Sequence, residues 1–484
     1  MAQMTEASRM PRLGGGALAA LYLAVAFLPL GLALGRETAP LDLLERVGAG
    51  LGLVALTAMA VQFVTSGRFG PVSGRLGIDK IMAFHKIAAW WVLLALLLHP
   101  LFYVAPTWLD DPELGMQRLV AYLVLPQYRT GVIALAALTV LVVSSALRER
   151  LPLRYETWRG LHVVLGLTAA GAGLHHALTA GRFSALGLVN AWWWWVAGAL
   201  ILVMVTLYGW RWARLHRRPW RLAAVTKLAD RMWELDIQPA PGTPDLTYDA
   251  GQFVWMTEGA RRFPLFDHPF SVADSPTRPG LSLIVKEAGD FTAGIGRLVP
   301  GTPMGIDGPY GEFALAHHPG RAILLVAGGA GIGPIMGLLR DLVARADPRP
   351  VRLAYAVGRP SNLACLPEMA AAGEALDLRT MVLSETAAPG FAGVVGLLGK
   401  AELETLLAGV DRAETVAMMC GPGPMVAAVA DVLEDLGLRR DAIVYERFDY
   451  AGGHASRQDR RRRARFLAVG AGLALGVAAF AALG

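Results

Sequence analysis

Long uninterrupted runs of hydrophobic residues occupy the first part of the chain and recur at its very end. A run of about 20 apolar residues is needed to cross a hydrocarbon core of about 30 Å as a helix. Six runs reach that scale, near residues 14–35, 47–65, 83–104, 130–147, 160–180 and 191–210. A last run, Phe466–Gly484, carries no charge and follows an arginine cluster at 460–465. The pattern predicts six membrane-spanning helices and a seventh, C-terminal one.

Between these regions the hydrophobic positions form short runs separated by glycine and proline. Four of them have the length and composition of strands and predict a small antiparallel β domain or barrel: 223–228, 232–237, 252–256 and 281–286. From Arg321, strands at 322–327 and 351–357 flank a helical pattern at 335–346, which predicts βαβ units and a parallel sheet.

These patterns predict a multi-domain membrane protein with four segments. In chain order they are a transmembrane helical domain (1–217), an antiparallel β-barrel domain (218–318), an α/β parallel-sheet domain (319–450), and a basic linker with the C-terminal helix (451–484).

Composition supports the membrane assignment and excludes several classes of protein. The chain has 484 residues, 54% of them hydrophobic, which is too apolar for an ordinary soluble enzyme. Its net charge is +6, but the basic residues cluster beside the hydrophobic runs, as in membrane topology signals rather than nucleic-acid surfaces. With only two cysteines, the chain cannot by itself form a cysteine-ligated iron–sulfur cluster, a Cys-rich zinc site or a disulfide framework.

The distribution of charge between the spans predicts the orientation. One side of the membrane receives most of the basic residues: Arg9, Arg12, Arg68, Arg75, Lys80, Arg148, Arg150, Arg154, Arg159, Arg211, Arg214, Arg217, Arg218 and Arg221. The other side has fewer basic residues and holds Asp110, Asp111 and Glu113. By the positive-inside rule, the N-terminus and everything after Arg211 are expected in the cytoplasm.

Histidines inside the predicted spans are the main candidate for chemistry. His85 and His99 lie on the third span, and His162, His175 and His176 lie on the fifth. Ionisable residues within a membrane are costly and tend to be functional. Residues fourteen apart on a helix fall near one face, separated by about 21 Å of rise. Each of the two spans therefore offers an imidazole near each membrane surface.

Two helices with this layout can hold two stacked planar cofactors, one in each leaflet. Neutral imidazole is a good ligand of haem iron, and filling both axial positions suits electron transfer. We expect His85 to pair with His162 on the inner side, and His99 to pair with His175 or His176 on the outer side. Structural or proton-relay histidines are the alternative.

Three segments in the β region resemble a flavin site. Asp267–Ala273 reads DHPFSVA, Val285–Thr292 reads VKEAGDFT, and Asp307–Phe313 reads DGPYGEF. Backbone amides and the hydroxyls of Ser271 and Thr292 could bond a pyrophosphate. Each segment alone is weak evidence, but their order and spacing together are specific.

The α/β region carries a glycine-rich strand-to-helix turn. Ala322–Pro334 reads AILLVAGGAGIGP, the layout that cradles a dinucleotide phosphate at a helix N-terminus, although the G-x-G-x-x-G form is absent. Met419–Pro424 reads MCGPGP after a strand, and Val444–Tyr450 reads VYERFDY.

With these motifs in place, residues 14–450 resemble the ferric reductase and NADPH oxidase superfamily, and most of all its bacterial ferric reductases. The family joins a six-helix haem domain, with paired histidines on its third and fifth helices, to a ferredoxin–NADP reductase-like module. The resemblance implies three kinds of cofactor: FAD, two b-type haems, and NADPH or NADH.

The resemblance also implies roles for the matching positions. The flavin motif corresponds to His268, Pro269, Phe270 and Ser271, and the pyrophosphate segment to Lys286, Phe291 and Thr292. The nucleotide phosphate loop corresponds to Gly329, Gly331, Gly333 and Pro334, and the nicotinamide-side motif to Cys420, Gly421 and Pro422. Glu446 and Phe448 match the terminal segment, whose aromatic residue shields the flavin. The candidate catalytic residues are Ser271, Cys420, Glu446 and Phe448.

Arg359 bears on the choice of nucleotide. It follows the strand at 351–357, and no acidic residue stands at that strand end to hold a free 2′-hydroxyl. An arginine there could pair with a 2′-phosphate, so NADPH is favoured over NADH.

Two departures from the family bear on the electron acceptor. Tyr103 stands where NADPH oxidases carry a further histidine, and tryptophans stand where they carry an outer arginine.

The resemblance therefore implies a transmembrane oxidoreductase that passes electrons from cytosolic NAD(P)H through FAD and two haems to an outer acceptor, with ferric chelates favoured. The alternatives are reduction of oxygen to superoxide, or electron donation to quinone or a periplasmic partner. The expected partners are the lipid bilayer, NAD(P)H and the acceptor; no nucleic acid is expected.

Overall fold

The computed structural model describes residues 15–36, 41–66, 78–259, 263–448 and 455–483, which fall into two compact units. The first unit is Met1–Leu207 with Arg463–Gly484, and the second is Tyr208–Arg462. The predicted cytoplasmic residues Arg9, Arg12, Arg68 and Arg75 and the end of the motif at Tyr450 lie outside the described residues.

The first unit is built from helices. In chain order they are α1 (Gly15–Ala33), α2 (Leu43–Val64), α3 (Ile78–Asp110), α4 (Pro112–Val124), α5 (Arg129–Ala146), α6 (Tyr155–Thr179) and α7 (Gly187–Met204). All but α4 overlap a predicted span. A short 3₁₀ turn, Pro126–Tyr128, precedes α5.

Helix α4 was not predicted, although the sequence carries a start signal for it. The Asp111 side chain accepts hydrogen bonds from the backbone N–H groups of Glu113 and Leu114, and Pro112 occupies the first helical position. An aspartate cap followed by proline is a frequent helix start, because the missing N–H of proline costs nothing there. The helix is too short for a span, so the hydropathy pattern passed over it.

The sixth predicted span continues without a break into the second unit. Helix α7 is followed by a π-helical segment, Val205–Trp210, and then by α8 (Arg211–Arg217). The predicted domain boundary after residue 217 therefore falls later than the division between the two compact units, which comes after Leu207. The physical reason is that Arg211 and Arg214 of α8 form ion pairs with Asp307, inside the second unit.

The second unit begins with an antiparallel six-stranded sheet. Its strands are β1 (Trp220–Ala229), β2 (Met232–Pro239), β3 (Phe253–Glu258), β4 (His268–Ser271), β5 (Leu281–Lys286) and β6 (Pro303–Tyr310), in the order β4-β3-β6-β1-β2-β5. The sequence pattern predicted four of them and missed β4 and β6. Both contain proline, which weakens a strand signal because it cannot donate to the ladder.

A six-stranded parallel sheet follows. Its strands are β7 (Ala322–Gly328), β8 (Val351–Val357), β9 (Leu378–Ser384), β10 (Val394–Val395), β11 (Thr415–Gly421) and β12 (Ile443–Arg447), in the order β10-β9-β8-β7-β11-β12. The intervening helices are α9 (Ile332–Ala344), α10 (Leu366–Ala375), α11 (Lys400–Leu406) and α12 (Gly423–Asp435). The predicted βαβ architecture is confirmed. The chain runs from β7 to β8 on one side and later to β11 on the other, so the sheet has its topological switch point between β7 and β11.

The last helix, α13 (Arg457–Leu483), brings the helices long and apolar enough to cross a membrane to seven among the described residues. Its first turns belong to the second unit and its apolar part to the first. In the first unit, Gly470 packs on the ring of Trp91 of α3, and Gly476 packs on the ring of Phe27 of α1. The predicted seventh helix is thus present, and its apolar part is an integral piece of the helical unit rather than a separate tail.

Candidate functional site

Two of the predicted histidine ligands face each other across helices α3 and α6. The ring centroids of His85 and His162 are 6.4 Å apart. Two metal–imidazole bonds of about 2 Å each, added to the half-widths of two five-membered rings, would separate such centroids by about 6 Å. The Nδ1 atom of His162 lies 3.1 Å from the hydroxyl of Ser145 on α5. The spacing of the two rings is therefore compatible with one metal atom between the imidazoles.

The outer histidines line a cavity of about 420 Å³ in the first unit. His99 of α3 and His176 of α6 both form its wall, whereas His175 does not. The Nδ1 atom of His175 instead lies 3.3 Å from the hydroxyl of Thr130. Of the two predicted alternatives, His176 is therefore the one that lines the same cavity as His99.

A backbone carbonyl holds His99 in one orientation. Its Nδ1 atom is 2.7 Å from the carbonyl oxygen of Gly48, a distance at which an Nδ1–H donates. The second ring nitrogen, Nε2, then remains available as a metal ligand, the usual arrangement for metal-bound histidine. Among the described residues no group of three or more His, Cys, Asp or Glu side chains could hold a bare metal ion. His99 is thus held so that its Nε2 atom could serve as a ligand of a metal cofactor.

Two glycines on neighbouring helices make room for these imidazoles. A Cβ atom at Gly52 of α2 would lie 2.7 Å from the His99 ring, and one at Gly131 of α5 would lie 2.9 Å from Nδ1 of His176. Small residues let helices approach closely within a membrane. Here they also set where each ring lies.

The cavity has a polar wall contributed largely by the unpredicted helix α4. Arg118 forms an ion pair with Glu45 of α2 at 2.9 Å and donates to the hydroxyl of Thr107 at 2.7 Å. Tyr103 of α3 and Arg182 also line the cavity, and the Tyr103 ring centroid is 5.3 Å from that of His99. The sequence signal that would have revealed Arg118 is the helix start at Asp111.

In the second unit, the glycine-rich turn and the MCGPGP segment meet at the switch point of the parallel sheet. A Cβ atom at Gly331 would lie 1.9 Å from the carbonyl oxygen of Cys420, so only glycine fits. Strand pairing places Cys420 between Ala327 of β7 and Glu446 of β12. Ligands of open α/β sheets bind outside the carboxyl ends of the strands at this point. Three predicted motifs therefore lie together at the carboxyl ends of neighbouring strands of the sheet.

The phosphate loop itself forms a 3₁₀ turn, Gly329–Gly331, that leads into α9. Gly329 has a φ of +53°, in the left-handed region, and a Cβ atom there would meet nothing within 4 Å. A helix N-terminus with an open approach is suited to a phosphate. Arg359 follows the end of the neighbouring strand β8 and is exposed to solvent, as expected for a residue that meets a nucleotide.

The flavin motif lies on β4, an edge strand of the antiparallel sheet. The ring of His268 stacks on that of Phe291, with centroids 3.9 Å apart, and Phe270 lies 6.1 Å from Phe291. The strand thus brings its motif next to the VKEAGDFT segment. An edge strand leaves backbone N–H and C=O groups on one side without a neighbouring strand, as a cofactor pyrophosphate requires.

Thr292 stabilises the loop that carries the predicted pyrophosphate segment. Its hydroxyl accepts from the backbone N–H groups of Ala288 and Gly289, at 2.8 and 3.0 Å. These bonds close the turn after Lys286, which ends β5. The side chain therefore shapes this loop, and its contact with a pyrophosphate stays a prediction.

The terminal segment adds the last predicted residues. Glu446 lies in β12, and its Oε1 atom would be 3.5 Å from a Cβ built at Gly311, within the DGPYGEF segment. Phe448 follows the strand and is 47% exposed. Strand pairing and this contact join the third flavin segment, the nicotinamide-side motif and the terminal segment in one region of the second unit.

An arginine network that the sequence analysis missed joins the two sheets of the second unit. Arg340 of α9 makes two bonds to the Glu368 carboxylate, at 2.6 and 2.8 Å, and one to Glu234 of β2, at 2.7 Å. It also donates to the carbonyl oxygen of Ala273, at 2.6 Å. Burial disfavours the charge, but the two carboxylates outweigh it and keep the pKa of Arg340 above its ordinary value. The network fixes the α/β domain against the β domain.

A second missed cluster ties α8 to β6. Arg211 pairs with Asp307 at 3.0 Å and donates to the hydroxyl of Tyr310, and that hydroxyl donates to Asp307 at 2.9 Å. Burial, together with the Asp307 charge, raises the pKa of Tyr310 to about 12. Arg214 donates to the carbonyl oxygen of Gly308 at 3.0 Å. The cluster involves the DGPYGEF segment, so that motif also holds α8.

Three family models match the chain in succession. A ferric reductase-like transmembrane component matches residues 51–173, an FAD-binding domain matches 218–314, and an oxidoreductase NAD-binding domain matches 325–431.

Known proteins are similar to parts of the chain. The reductase component of propane 2-monooxygenase from Gordonia sp. (strain TY-5) is 33% identical over 187 residues, or 37% of this chain. The flavohemoprotein of Bordetella pertussis is 28% identical over 258 residues, or 50% of this chain. The chain spans 54% and 62% of the lengths of these two relatives.

Solved structures give weaker likenesses. The match to a flavohemoglobin from Malassezia yamatoensis with bound FAD and heme covers 88% of this chain and 98% of the flavohemoglobin chain, at 15% identity and a TM-score of 0.46. The match to a ferredoxin NADP+ reductase from Neisseria gonorrhoeae covers 47% of this chain and 97% of the reductase chain, at 20% identity and a TM-score of 0.41.

The fold and the family models define a class of protein, the membrane-spanning oxidoreductases that carry FAD- and NAD-binding domains. Within that class, the three domains in this order match the ferric reductase-like superfamily with its ferredoxin–NADP reductase-like module. The resemblance inferred from the sequence motifs is therefore confirmed.

Proposed function

We propose that this protein passes electrons from cytosolic NAD(P)H through FAD and two b-type haems to a ferric chelate at the outer face of the bacterial inner membrane. The observation that carries the proposal is the pairing of imidazoles on α3 and α6. His85 faces His162, and His99 shares a cavity with His176. Two such pairs on one pair of helices supply four axial ligands, the number that two six-coordinate haems require.

When bound, FAD would take the hydride as an electron pair, and the haem irons would carry the electrons singly. The protein's part is to bind and orient these groups. Gly48 and Ser145 bond the Nδ1 atoms of His99 and His162, respectively, which would leave the Nε2 atom of each ring to hold a haem iron. Arg118 and Arg182 in the cavity wall offer positive charge to the carboxylates of a haem.

In the second unit, the packing of Gly331 on Cys420 brings the phosphate loop and the nicotinamide-side motif to one edge of the sheet. The Arg340 network holds that sheet against the β domain. Ser271, Cys420, Glu446 and Phe448 are proposed to surround the reacting rings. The arginine cluster that directly follows the sixth span supports a cytoplasmic position for this unit: Arg211, Arg214, Arg217, Arg218 and Arg221.

The acceptor is proposed from the resemblance to ferric reductases, which favours a ferric chelate such as ferric citrate. Tyr103 occupies the position where the oxygen-reducing relatives carry a histidine, which argues against superoxide production. One NAD(P)H supplies two electrons and so reduces two ferric ions, with one proton released on the cytoplasmic side.

The nucleotide is proposed to be NADPH because Arg359 stands exposed at the end of β8. Replacing Arg359 with alanine is expected to raise the KM for NADPH about tenfold or more, since a charge-assisted phosphate contact is lost. The KM for NADH should stay within about twofold, because NADH has no 2′-phosphate. Equal changes in the KM values for NADPH and NADH would contradict a contact between Arg359 and the 2′-phosphate.

The proposal is tested on the detergent-purified full chain. FAD is quantified and haem is measured by the pyridine haemochrome spectrum, then NADPH is added without oxygen. We expect one FAD and two b-type haems per chain, and reduced haems that are reoxidised by ferric citrate. One haem or none would overturn the paired-histidine assignment. If oxygen or a quinone reoxidises the haems faster than ferric citrate does, then that compound, and not a ferric chelate, is the acceptor.

A further inference from the structure

The strand that carries Glu446 is short and lies at the edge of the parallel sheet. Strand β12 pairs only with β11, and Phe448 follows directly after it. An edge strand has ladder hydrogen bonds on one side only. The side away from β11 therefore needs other contacts if Glu446 and Phe448 are to keep a fixed position.

The first turn of α13 supplies those contacts. Asp459 accepts from the hydroxyl of Tyr445 at 2.9 Å and forms an ion pair with Arg447. Both partners belong to β12, on either side of Glu446. The side chain of Asp459 is 17% exposed and that of Arg447 is 22% exposed, so the pair is largely removed from water.

Asp459 is itself fixed by the start of its helix. The backbone N–H of Ser456 donates to the Asp459 carboxylate, and the backbone N–H of Asp459 donates to the Ser456 hydroxyl, both at 3.1 Å. This reciprocal arrangement is a capping box, with the acidic residue three positions after the cap. Ser456 is fully buried and also bonds the hydroxyl of Tyr445 at 3.0 Å.

The same turn is anchored to α12 independently of β12. The backbone N–H of Arg457 donates to Asp431 at 2.8 Å, and its guanidinium pairs with Asp435. Losing the Asp435 pair would weaken the anchor of α13 and leave every bond between Asp459 and β12 intact. Position 435 therefore offers a matched control for position 459.

We propose that Asp459 is a positioning residue that holds β12, and through it Glu446 and Phe448, in the arrangement required for hydride transfer. This inference rests on the proposed function and extends it to a helix that lies beyond the residues of the family resemblance. The sequence from Ser456 to Asp459 carries the capping signal, but its bonds to Tyr445 and Arg447 are visible only in the fold.

The first test measures the strand directly by hydrogen–deuterium exchange of the full chain. Asp459→Asn keeps the shape of the side chain and removes its charge. We expect faster exchange of the amides of 443–448 in this variant than in Asp435→Asn, because only the former loses the ion pair with Arg447 and one of the two acceptor oxygens that bond β12. Equal exchange in the two variants would overturn the proposal.

The second test separates positioning from general stability by steady-state kinetics. Ferricyanide serves as the acceptor, with NADPH varied. Asp459→Asn should lower kcat about tenfold, as small misplacements of reacting groups do, and leave the KM for NADPH nearly unchanged because the phosphate contacts lie on other strands. Asp459→Glu, which can rebuild the capping box, should restore most of kcat.

A double-mutant cycle completes the design. If Asp459 acts through Phe448, then Asp459→Asn in a Phe448→Ala background should cause little further loss of kcat. Losses that multiply both in this background and in a Glu446→Gln background would mean that Asp459 acts elsewhere and would overturn the proposal. Tyr445→Phe, which removes the hydrogen bonds of one hydroxyl to Asp459 and Ser456 and keeps the ion pair of Asp459 with Arg447, provides a milder variant should Asp459→Asn fail to fold. Absence of NADPH oxidation in the wild-type protein would instead be a failure of the proposed function.

Discussion

Glycines at the candidate sites of the two units make room for different kinds of group. In the helical unit, Gly52 and Gly131 make space for side-chain rings, those of His99 and His176. In the second unit, Gly331 makes space for backbone, the carbonyl oxygen of Cys420. Helices in a membrane gain little from apolar contact alone, so their fit depends on small residues facing large ones. A nucleotide loop instead needs its backbone close to a neighbouring strand.

This difference predicts how each unit should respond to a single added methyl group. Where the obstacle is a ring, the ring can turn and the cofactor geometry changes. Where the obstacle is a carbonyl oxygen, the strand or the loop must move. The rate of NADPH-driven electron transfer to an outer-face acceptor provides one common measure for the predictions below.

The largest effect is expected from Gly331→Ala. The new Cβ atom would lie 1.9 Å from the Cys420 carbonyl oxygen, so the phosphate loop and the end of β11 must separate. We expect NADPH-dependent ferricyanide reduction to fall about 100-fold, the scale of loss that follows from misplacing groups by about 1 Å. Gly373→Ala on α10 is the control, because a Cβ there meets nothing within 4 Å. Activity within twofold of wild type would contradict the close approach.

Gly131→Ala should act on the other unit alone. The added methyl group would displace the His176 ring, so the purified protein is expected to lose one of its two proposed haems. Electron transfer to ferric citrate should then stop while reduction of ferricyanide by the second unit continues. The matched control is Gly171→Ala, on the same helix as His176 and open to a methyl group. An unchanged haem content and spectrum would argue against His176 as a ligand.

A smaller effect is expected from Arg340→Met. Removing the arginine leaves Glu234 and Glu368 without their shared partner and should lower the stability of the second unit by about 3 kcal/mol, as for other broken buried pairs. The measurement is the temperature at which flavin fluorescence is released. Arg345→Met removes an exposed pair with Asp341 and should cost only about 0.5 kcal/mol. Equal shifts for the two variants would show that the network does not join the sheets.

The smallest effect concerns a pair outside both candidate sites. A hydrogen bond from Arg349 holds the pKa of Asp347 below its usual range. A carboxylate with a lowered pKa in the folded state adds stability above its unfolded pKa, and that stability is lost as the pH falls through the folded value. Asp347→Asn should therefore cost about 0.5 kcal/mol or less at pH 7. The difference in melting temperature between wild type and Asp347→Asn should become smaller as the pH is lowered toward 4. A difference that becomes larger would contradict the lowered pKa of Asp347.

Much of the fold could be predicted because hydropathy and motif order are local properties. The six spans, the seventh helix and the parallel sheet each leave a periodic signal over ten or more residues. Helix α4 and strands β4 and β6 left weaker signals, since α4 is short and the two strands contain proline. The candidate ligands on α3 and α6 were found from their spacing alone. The histidine pairs are close in space only because two helices distant in sequence pack together.

By itself, the sequence predicted which segments are long and apolar enough to span a membrane, which residue types are available as ligands, and which motifs are candidates for binding nucleotide and flavin. The tertiary structure decided which groups meet. It turned His176 rather than His175 toward the cavity, brought Arg340 to two carboxylates from distant segments, and set Asp459 against β12. The physical reason is that side-chain contacts between elements depend on helix rotation and strand register. Those are fixed by packing of the whole unit and leave little trace in any one stretch of sequence.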